Sequence, residues 1–155
     1  KSKRCTDCGF TFYHNAAAAT VAVILNSRNE LLVTRRAFNP AAGTLDLPGG
    51  FVDAGETAEE GIVREVEEET GGKAVVEKFL FSLPNEYVYS DFIVHTTDLF
   101  FLCRLLDEMA LFAHDDAAAL FWIPLADIRP SNFGLASIAA GVQKLLESNI
   151  SYTPT

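Results

Sequence analysis

At 155 residues, with 49% hydrophobic and 21% charged side chains, the chain suits one globular domain with a real core and excludes a disordered polymer. A net charge of −9 argues against a general nucleic-acid or anionic-membrane surface, because both partners want clustered Lys and Arg. No apolar run reaches the roughly 20 residues of a membrane span, nothing at the start reads as a signal peptide, and three cysteines make no disulfide framework, so the expected setting is a reducing cytoplasm.

In chain order, residues 1–16 form an arm that carries Cys5-Thr-Asp-Cys8-Gly9 and opens on Lys-Ser-Lys without Met, as a trimmed chain would. Cys-x-x-Cys before Gly has the shape of a zinc knuckle, in which the small Gly lets backbone amides turn towards the thiolates. It supplies half a site, since structural zinc takes four ligands and His14 is the sole other candidate nearby. Cys5 and Cys8 are therefore either a partial Zn²⁺ site or two free thiols, on a segment expected to be less ordered than the core.

Residues 17–155 make the main domain. The run from Ala17 to Leu25 reads as a buried strand, and Asn26-Ser-Arg-Asn29 as a turn into a second strand from Glu30 to Arg36, the two forming a hairpin. Asn39-Pro-Ala-Ala-Gly43 is a loop, and 44–50 a short strand ending in a Pro48-Gly49-Gly50 bend. Thr57-Ala-Glu-Glu60 is a capping box that starts a helix with Ala58, Ile62, Val63 and Val66 as its apolar stripe, and Gly71-Gly72 supplies the left-handed stop. Residues 73–83 read as a strand, 84–92 as a loop rich in Tyr and Asn, and 96–106 as a long apolar strand with Cys103 inside. After a polar break at His114-Asp115-Asp116 comes a last strand over 119–123 and a helical turn over 124–128. Residues 135–148 close the chain as an amphipathic helix with Ile138, Val142, Leu145 and Leu146 inward. Mixed strands with one central and one terminal helix predict an α/β fold, an α/β/α sandwich with a mixed sheet.

The stretch 50–72 is where the chemistry concentrates. Eight carboxylates stand between Asp53 and Glu69 against the single Arg64. On a helix, Glu65, Glu68 and Glu69 fall at i, i+3 and i+4, so three like charges crowd one face where a solvated face would mix signs. Such crowding calls for an external cation, and an all-oxygen set without His or Cys selects a hard divalent ion, Mg²⁺ or Mn²⁺.

Read as Gly50, five residues, Glu56, seven residues, then Arg64-Glu65-Val66-x-Glu68-Glu69-x-Gly71, this stretch resembles the signature box of the Nudix hydrolases. The resemblance covers about residues 17–146 and departs at Gly72, where the family usually has an apolar residue. It implies the α/β/α sandwich and a metal-dependent pyrophosphohydrolase cleaving the phosphoanhydride of a nucleoside diphosphate linked to another moiety, such as NADH, ADP-ribose or an NTP. It further implies Glu65, Glu68 and Glu69 as Mg²⁺ or Mn²⁺ ligands, with the Gly50 carbonyl completing the shell. Glu65 or Glu68 would also orient the attacking water, and Arg64 would pair with Glu56 to fix carboxylate geometry. Several members carry a further acidic ligand or base on a loop that corresponds to Asp115 and Asp116, of which Asp116 is the candidate. A knuckle before such a domain resembles NADH pyrophosphatases, although Ser82-Leu-Pro-Asn-Glu-Tyr-Val-Tyr-Ser90 stands where those enzymes have Ser-Gln-Pro-Trp-Pro-Phe-Pro.

Arg35 and Arg36 end a strand beside the expected cleft as candidate phosphate ligands, and strand alternation lets at most one face inward. Tyr87, with Tyr89 and Phe92, is a candidate for stacking a base. The expected partners are the nucleotide substrate and, at most, a second copy in a homodimer. The rival reading is a nucleotide-binding regulatory module of the same fold without turnover, which the intact box disfavours.

Overall fold

The computed structural model describes residues 2–89, 92–107, 111–113 and 117–152. In chain order its strands are β1 (Ser2–Arg4), β2 (Thr11–Tyr13), β3 (Ala17–Ile24), β4 (Glu30–Arg36) and β5 (Leu45–Asp46), then β6 (Ala74–Tyr89), β7 (Phe92–Leu105) and β8 (Ala117–Pro124). Helix α1 (Ala58–Thr70) lies between β5 and β6, and α2 (Ala136–Glu147) follows two short 3₁₀ turns after β8.

Side chains along β3 alternate between two cores: Val21 and Val23 join one cluster, Ala22 and Ile24 the other, and all four are at most 4% exposed. A strand buried on both faces has no polar face to alternate with, which is why this segment reads as an unbroken apolar run. Ile62 and Val66 of α1 close one core against Phe101, Cys103 and Leu105. On the opposite face, Ile138, Val142 and Leu145 of α2 close the other against Phe100, Leu31 and Val33. α2 packs so tightly that a Cβ at Gly141 would overlap the Phe100 ring. The result is the expected α/β sandwich. One sheet is mixed, with β7 parallel to β3 and antiparallel to β6; the other is antiparallel in the order β5-β4-β8.

Two local expectations need correction. β3 and β4 are not a hairpin. The turn closes through Asn26 Oδ1, which accepts the N–H groups of Arg28 and Glu30, but the strands share only the Leu25–Leu31 bridge before entering different sheets. The free edge of β3 is taken instead by the 48–52 segment: Ala22 N–H donates to the Pro48 carbonyl at 2.7 Å, Thr20 N–H to Gly50 at 2.7 Å, and Val52 N–H to Ala18 at 3.1 Å. Nor are residues 84–89 of the expected 84–92 loop irregular, because β6 continues to Tyr89 in register with β7, with Pro84 opposite Thr97. Proline survives there because β6 is an edge strand, so its missing N–H breaks no ladder. In the opening arm, Ser2–Arg4 pairs with Thr11–Tyr13 in a two-stranded hairpin of its own.

Gly72, the departure from the family box, also has a physical account. A Cβ there would come within 2.6 Å of Leu111 and 3.0 Å of Leu105. Leu111 thus fills, from another part of the chain, the space an apolar residue at 72 would take.

Candidate active site

α1 begins where the capping box predicts. The Thr57 hydroxyl accepts Glu60 N–H at 3.2 Å and the Glu60 carboxylate accepts Thr57 N–H at 2.8 Å, which holds the Glu60 carboxyl below the usual range. Gly71, at φ 67°, ends the helix with its N–H on the Glu67 carbonyl. With Ile62 and Val66 pinned in the core, the remaining face carries Glu65, Glu68 and Glu69 to one end of a cavity of about 530 Å³, beside Gly49, Gly50 and Asp53.

The glycine bend fits this face closely. A Cβ at Gly49 would overlap the Thr20 carbonyl, so that position admits no side chain, and one at Gly50 would lie 2.5 Å from the Glu65 carboxylate and push it off its present place. Gly49 N–H donates to Glu69 Oε2 at 3.3 Å, and the Gly50 carbonyl accepts Thr20 N–H at 2.7 Å.

Arg64 organises the acids. Its Nε donates to Glu56 Oε1 at 2.9 Å and its Nη2 to Glu56 Oε2 and the Phe51 carbonyl, both at 3.0 Å. Nη1 bridges Glu65 Oε1 at 2.8 Å and Glu68 Oε2 at 2.9 Å. Its hydrogen bond to Glu56, then those to Glu65 and Glu68 and the charge of Glu65, push its pKa up, against burial. Glu56 is held below the ordinary carboxylate range, first by Arg64 and then by the N–H of Asp53. Among the described residues no three His, Cys, Asp or Glu side chains are already set as a ligand cage for a metal ion.

Of the two strand-end arginines, only Arg36 reaches the cavity. A register shift between Arg35 and Arg36 re-aims the strand, and Arg36 pairs there with Asp46 while donating to Tyr87 Oη at 3.2 Å and the Pro40 carbonyl at 2.7 Å. Arg35 turns away: its guanidinium lies 5.2 Å over the Phe121 ring and donates to the Gly43 carbonyl at 2.8 Å. Tyr87 lines the cavity and meets the Phe51 ring edge-on at 6.0 Å. Phe92 is 74% exposed at the far end of the β6–β7 ribbon, away from the cavity lining. Burial raises the Asp46 carboxyl above its usual pKa even though Arg36 opposes the shift.

Sequence reasoning missed Asp46, Asp98, Thr34, Thr96 and Asn85, all of which line the cavity. Asp98 is 4% exposed, accepting the Thr96 hydroxyl at 2.6 Å and the Ser137 hydroxyl at 2.5 Å. The signal in the sequence is weak: Asp46 stands between Leu45 and Leu47, Asp98 ends the polar run His95-Thr96-Thr97, and only their burial, which demands partners, marks them out. His114, Asp115 and Asp116 lie outside the described residues, as does the Tyr89 side chain.

At the other end of the chain, Cys5 and Cys8 are exposed on the 5–9 turn of the N-terminal hairpin. Cys5 N–H donates to the Phe10 carbonyl at 2.8 Å, Gly9 N–H donates back to Cys5 at 3.1 Å, and backbone N–H groups of Cys8 and Asp7 lower the Cys5 thiol pKa. No described His, Cys, Asp or Glu joins them as a metal group. Cys103 is buried, and desolvation pushes its thiol up to about 12, an inert core residue as expected.

A mixed α/β sandwich with an acidic helix and a glycine bend walling one end of a deep cleft defines a class of protein, not one activity. Within that class the chain belongs to the NUDIX domain family, whose pattern it matches over residues 15–142. It is 50% identical over 54 residues to an ADP-ribose pyrophosphatase of Methanocaldococcus jannaschii, a stretch covering 35% of this chain and 32% of that protein. Over 73 residues it is 37% identical to an 8-oxo-dGTP diphosphatase of Escherichia coli, covering 44% of this chain and 57% of that one. It therefore aligns with only a third to somewhat over half the length of these relatives. A NUDIX hydrolase structure from Nitrosomonas europaea superposes with a TM-score of 0.77 over 94% of this chain and 78% of the other, at 20% identity, which establishes the shared fold.

Proposed function

We propose that the protein is a divalent-cation-dependent pyrophosphohydrolase that cleaves the phosphoanhydride of a nucleoside diphosphate linked to a second moiety. The observation that carries this reading is the convergence of Glu65, Glu68 and Glu69 with the Gly49–Gly50 backbone at one end of a substrate-sized cavity. The donor set is all oxygen, which suits Mg²⁺ or Mn²⁺ and not Zn²⁺. Glu65, Glu68 and Glu69 would hold the ions together with the Gly50 carbonyl, which accepts Thr20 N–H at 2.7 Å and would give up only the long 3.4 Å bond from the Thr20 hydroxyl to turn its second lone pair to an ion. A cation held there would supply charge neutralisation of the diphosphate and activation of a water. Glu65 or Glu68 would orient the attacking water and accept its proton. Arg64 fixes both carboxylates from behind, with Glu56 holding Arg64 in turn. Arg36, already engaged by Asp46 and Tyr87, stiffens the cavity wall and is no free phosphate clamp.

ADP-ribose is the first substrate to try, given the identity to an ADP-ribose pyrophosphatase over the box region; NADH and NTPs follow. The test is incubation with Mg²⁺ or Mn²⁺ and this panel, looking for mononucleotide products. Glu68→Gln and Glu69→Gln should each lower turnover by at least about a hundredfold and keep the fold. Tight nucleotide binding with no product from any compound would favour the regulatory module, and near-normal activity in either variant would remove that residue from the ligand set.

Cys5 and Cys8 enter the same reading as half of a zinc site to be completed by residues beyond the described ones. Metal analysis of a chelator-washed sample should then find far less than one zinc per chain; stoichiometric, tightly held zinc would sink the half-site reading.

A further inference from the structure

The cavity has a second end that the proposed chemistry leaves without a task. Opposite the acidic helix, the two sheets and α2 converge on Thr34, Arg36, Asp46, Asn85, Thr96 and Asp98. Resting on the reading of the acidic end given above, we propose that this end is a recognition subsite for an uncharged group rich in hydrogen-bond donors, and that Asp98 and Thr34 set its specificity.

The charge balance excludes a phosphate there. Among the described residues Arg36 is the one guanidinium in the cavity lining, and three of its five N–H groups are spent on Asp46, Tyr87 and the Pro40 carbonyl. Its charge is matched by Asp46, with which it pairs, and Asp98 lines the same cavity, so the lining holds no excess of positive charge. An entering phosphate would lose its water and meet no unspent cation, a far larger penalty than burying a hydroxyl.

The acceptor balance points the other way. A carboxylate offers about four lone-pair sites, and Asp98 uses two of them on the Thr96 and Ser137 hydroxyls. Those bonds also fix its orientation. Thr34 is 3% exposed and lines the cavity, and its hydroxyl has no hydrogen-bond partner among the described residues. Since no described buried polar atom is left unsatisfied, that hydroxyl opens onto the cavity. A buried polar group aimed into a cleft without a protein partner is a place where a ligand atom completes the bonding. Ribose hydroxyls and base amino groups both offer the matching donors, so the subsite takes one of these two parts of a nucleotide.

The test separates this subsite from the metal end by removing the metal. In chelator, binding of four uncharged nucleosides (adenosine, guanosine, cytidine and uridine), of ribose, and of the matching monophosphates is measured by NMR shift titration. At least one nucleoside should bind, and its monophosphate should bind at least about tenfold more weakly because it meets the uncompensated acids; Mg²⁺ should reverse that order. Ribose binding alone would assign the subsite to the sugar, and nucleoside binding without ribose binding to the base. Asp98→Asn should weaken the nucleoside about tenfold with an unchanged unfolding midpoint. Thr34→Val, nearly isosteric, repeats the test should Asp98→Asn fail to fold. No binding by any uncharged ligand, a monophosphate equal to its nucleoside in chelator, or unchanged binding in both variants overturns the subsite. Hydrolysis of the panel reads the other question. Turnover with these binding results absent rejects the subsite alone, whereas Asp98-dependent nucleoside binding without turnover rejects the hydrolase and leaves the subsite.

Discussion

At the scale of single residues, Arg64 and Arg36 look alike in sequence and differ in consequence. Arg64 makes five hydrogen bonds from three nitrogens, and only a planar fork can reach Glu56, Glu65 and Glu68 together. Arg64→Lys therefore keeps the charge and loses the geometry; kcat should fall tenfold or more while the unfolding midpoint moves by only a few degrees, a split that parallel kinetics and melting would check. Arg36 sits in a buried pair, so Arg36→Met strands Asp46 and should cost about 3–5 kcal/mol. The double variant Arg36→Met with Asp46→Leu should recover most of that loss in denaturant titrations. Recovery of none would mean the pair's other contacts, to Tyr87 and Pro40, carry the stability. Box residues were legible because their spacing is distinctive. Asp46 and Asp98 were not, because an acid within a strand shows its role only when the neighbouring strand and helix bring its partners.

At the scale of elements, α1 was legible almost to the residue, since its start, stop and stripe are all local signals: a capping box, a left-handed Gly71 and a period of 3.6. Thr57→Ala should cost about 1 kcal/mol in unfolding free energy. Its partner Glu60 has a lowered pKa in the folded chain, so its contribution is complete above the ordinary glutamate value near 4.3 and vanishes as pH falls through the lower folded value. The stability gap between wild type and Glu60→Gln should hold constant from about pH 8 to pH 5 and close only below about pH 4; a gap that opens on acidification would contradict the cap. Strand pairing was less legible. The sequence places β3 before β4 and a good turn between them, yet what decides the partner is which edge the 48–52 segment occupies, and that is a tertiary fact. Likewise Pro84 and the Tyr-rich run suggest a loop, and only the edge position of β6 makes them strand.

At the scale of the whole molecule, two cores on opposite faces hold α1 and the glycine bend in fixed relation, so the crowded carboxylates cannot relax by moving apart. Glu65 and Glu68 share one nitrogen of Arg64, Glu69 accepts the Gly49 N–H, and the chain as a whole carries a charge of −9. An ion that binds this face only when folded must stabilise the fold by mass action, about 2.7 kcal/mol at a hundred times its Kd. For a domain of this size that corresponds to roughly 5–10 °C in Tm. Simple screening of net charge would also stabilise, so the comparison is Mg²⁺ against KCl at equal ionic strength, where screening is matched and site binding is not. Wild type should gain several degrees from Mg²⁺ beyond KCl. Glu68→Gln and Glu69→Gln should melt at or above the wild-type temperature in chelator, because one of three repelling charges is gone, and should lose most of the Mg²⁺ increment. An increment equal in KCl, or one that survives in both variants, would mean the acidic face does not hold the ion.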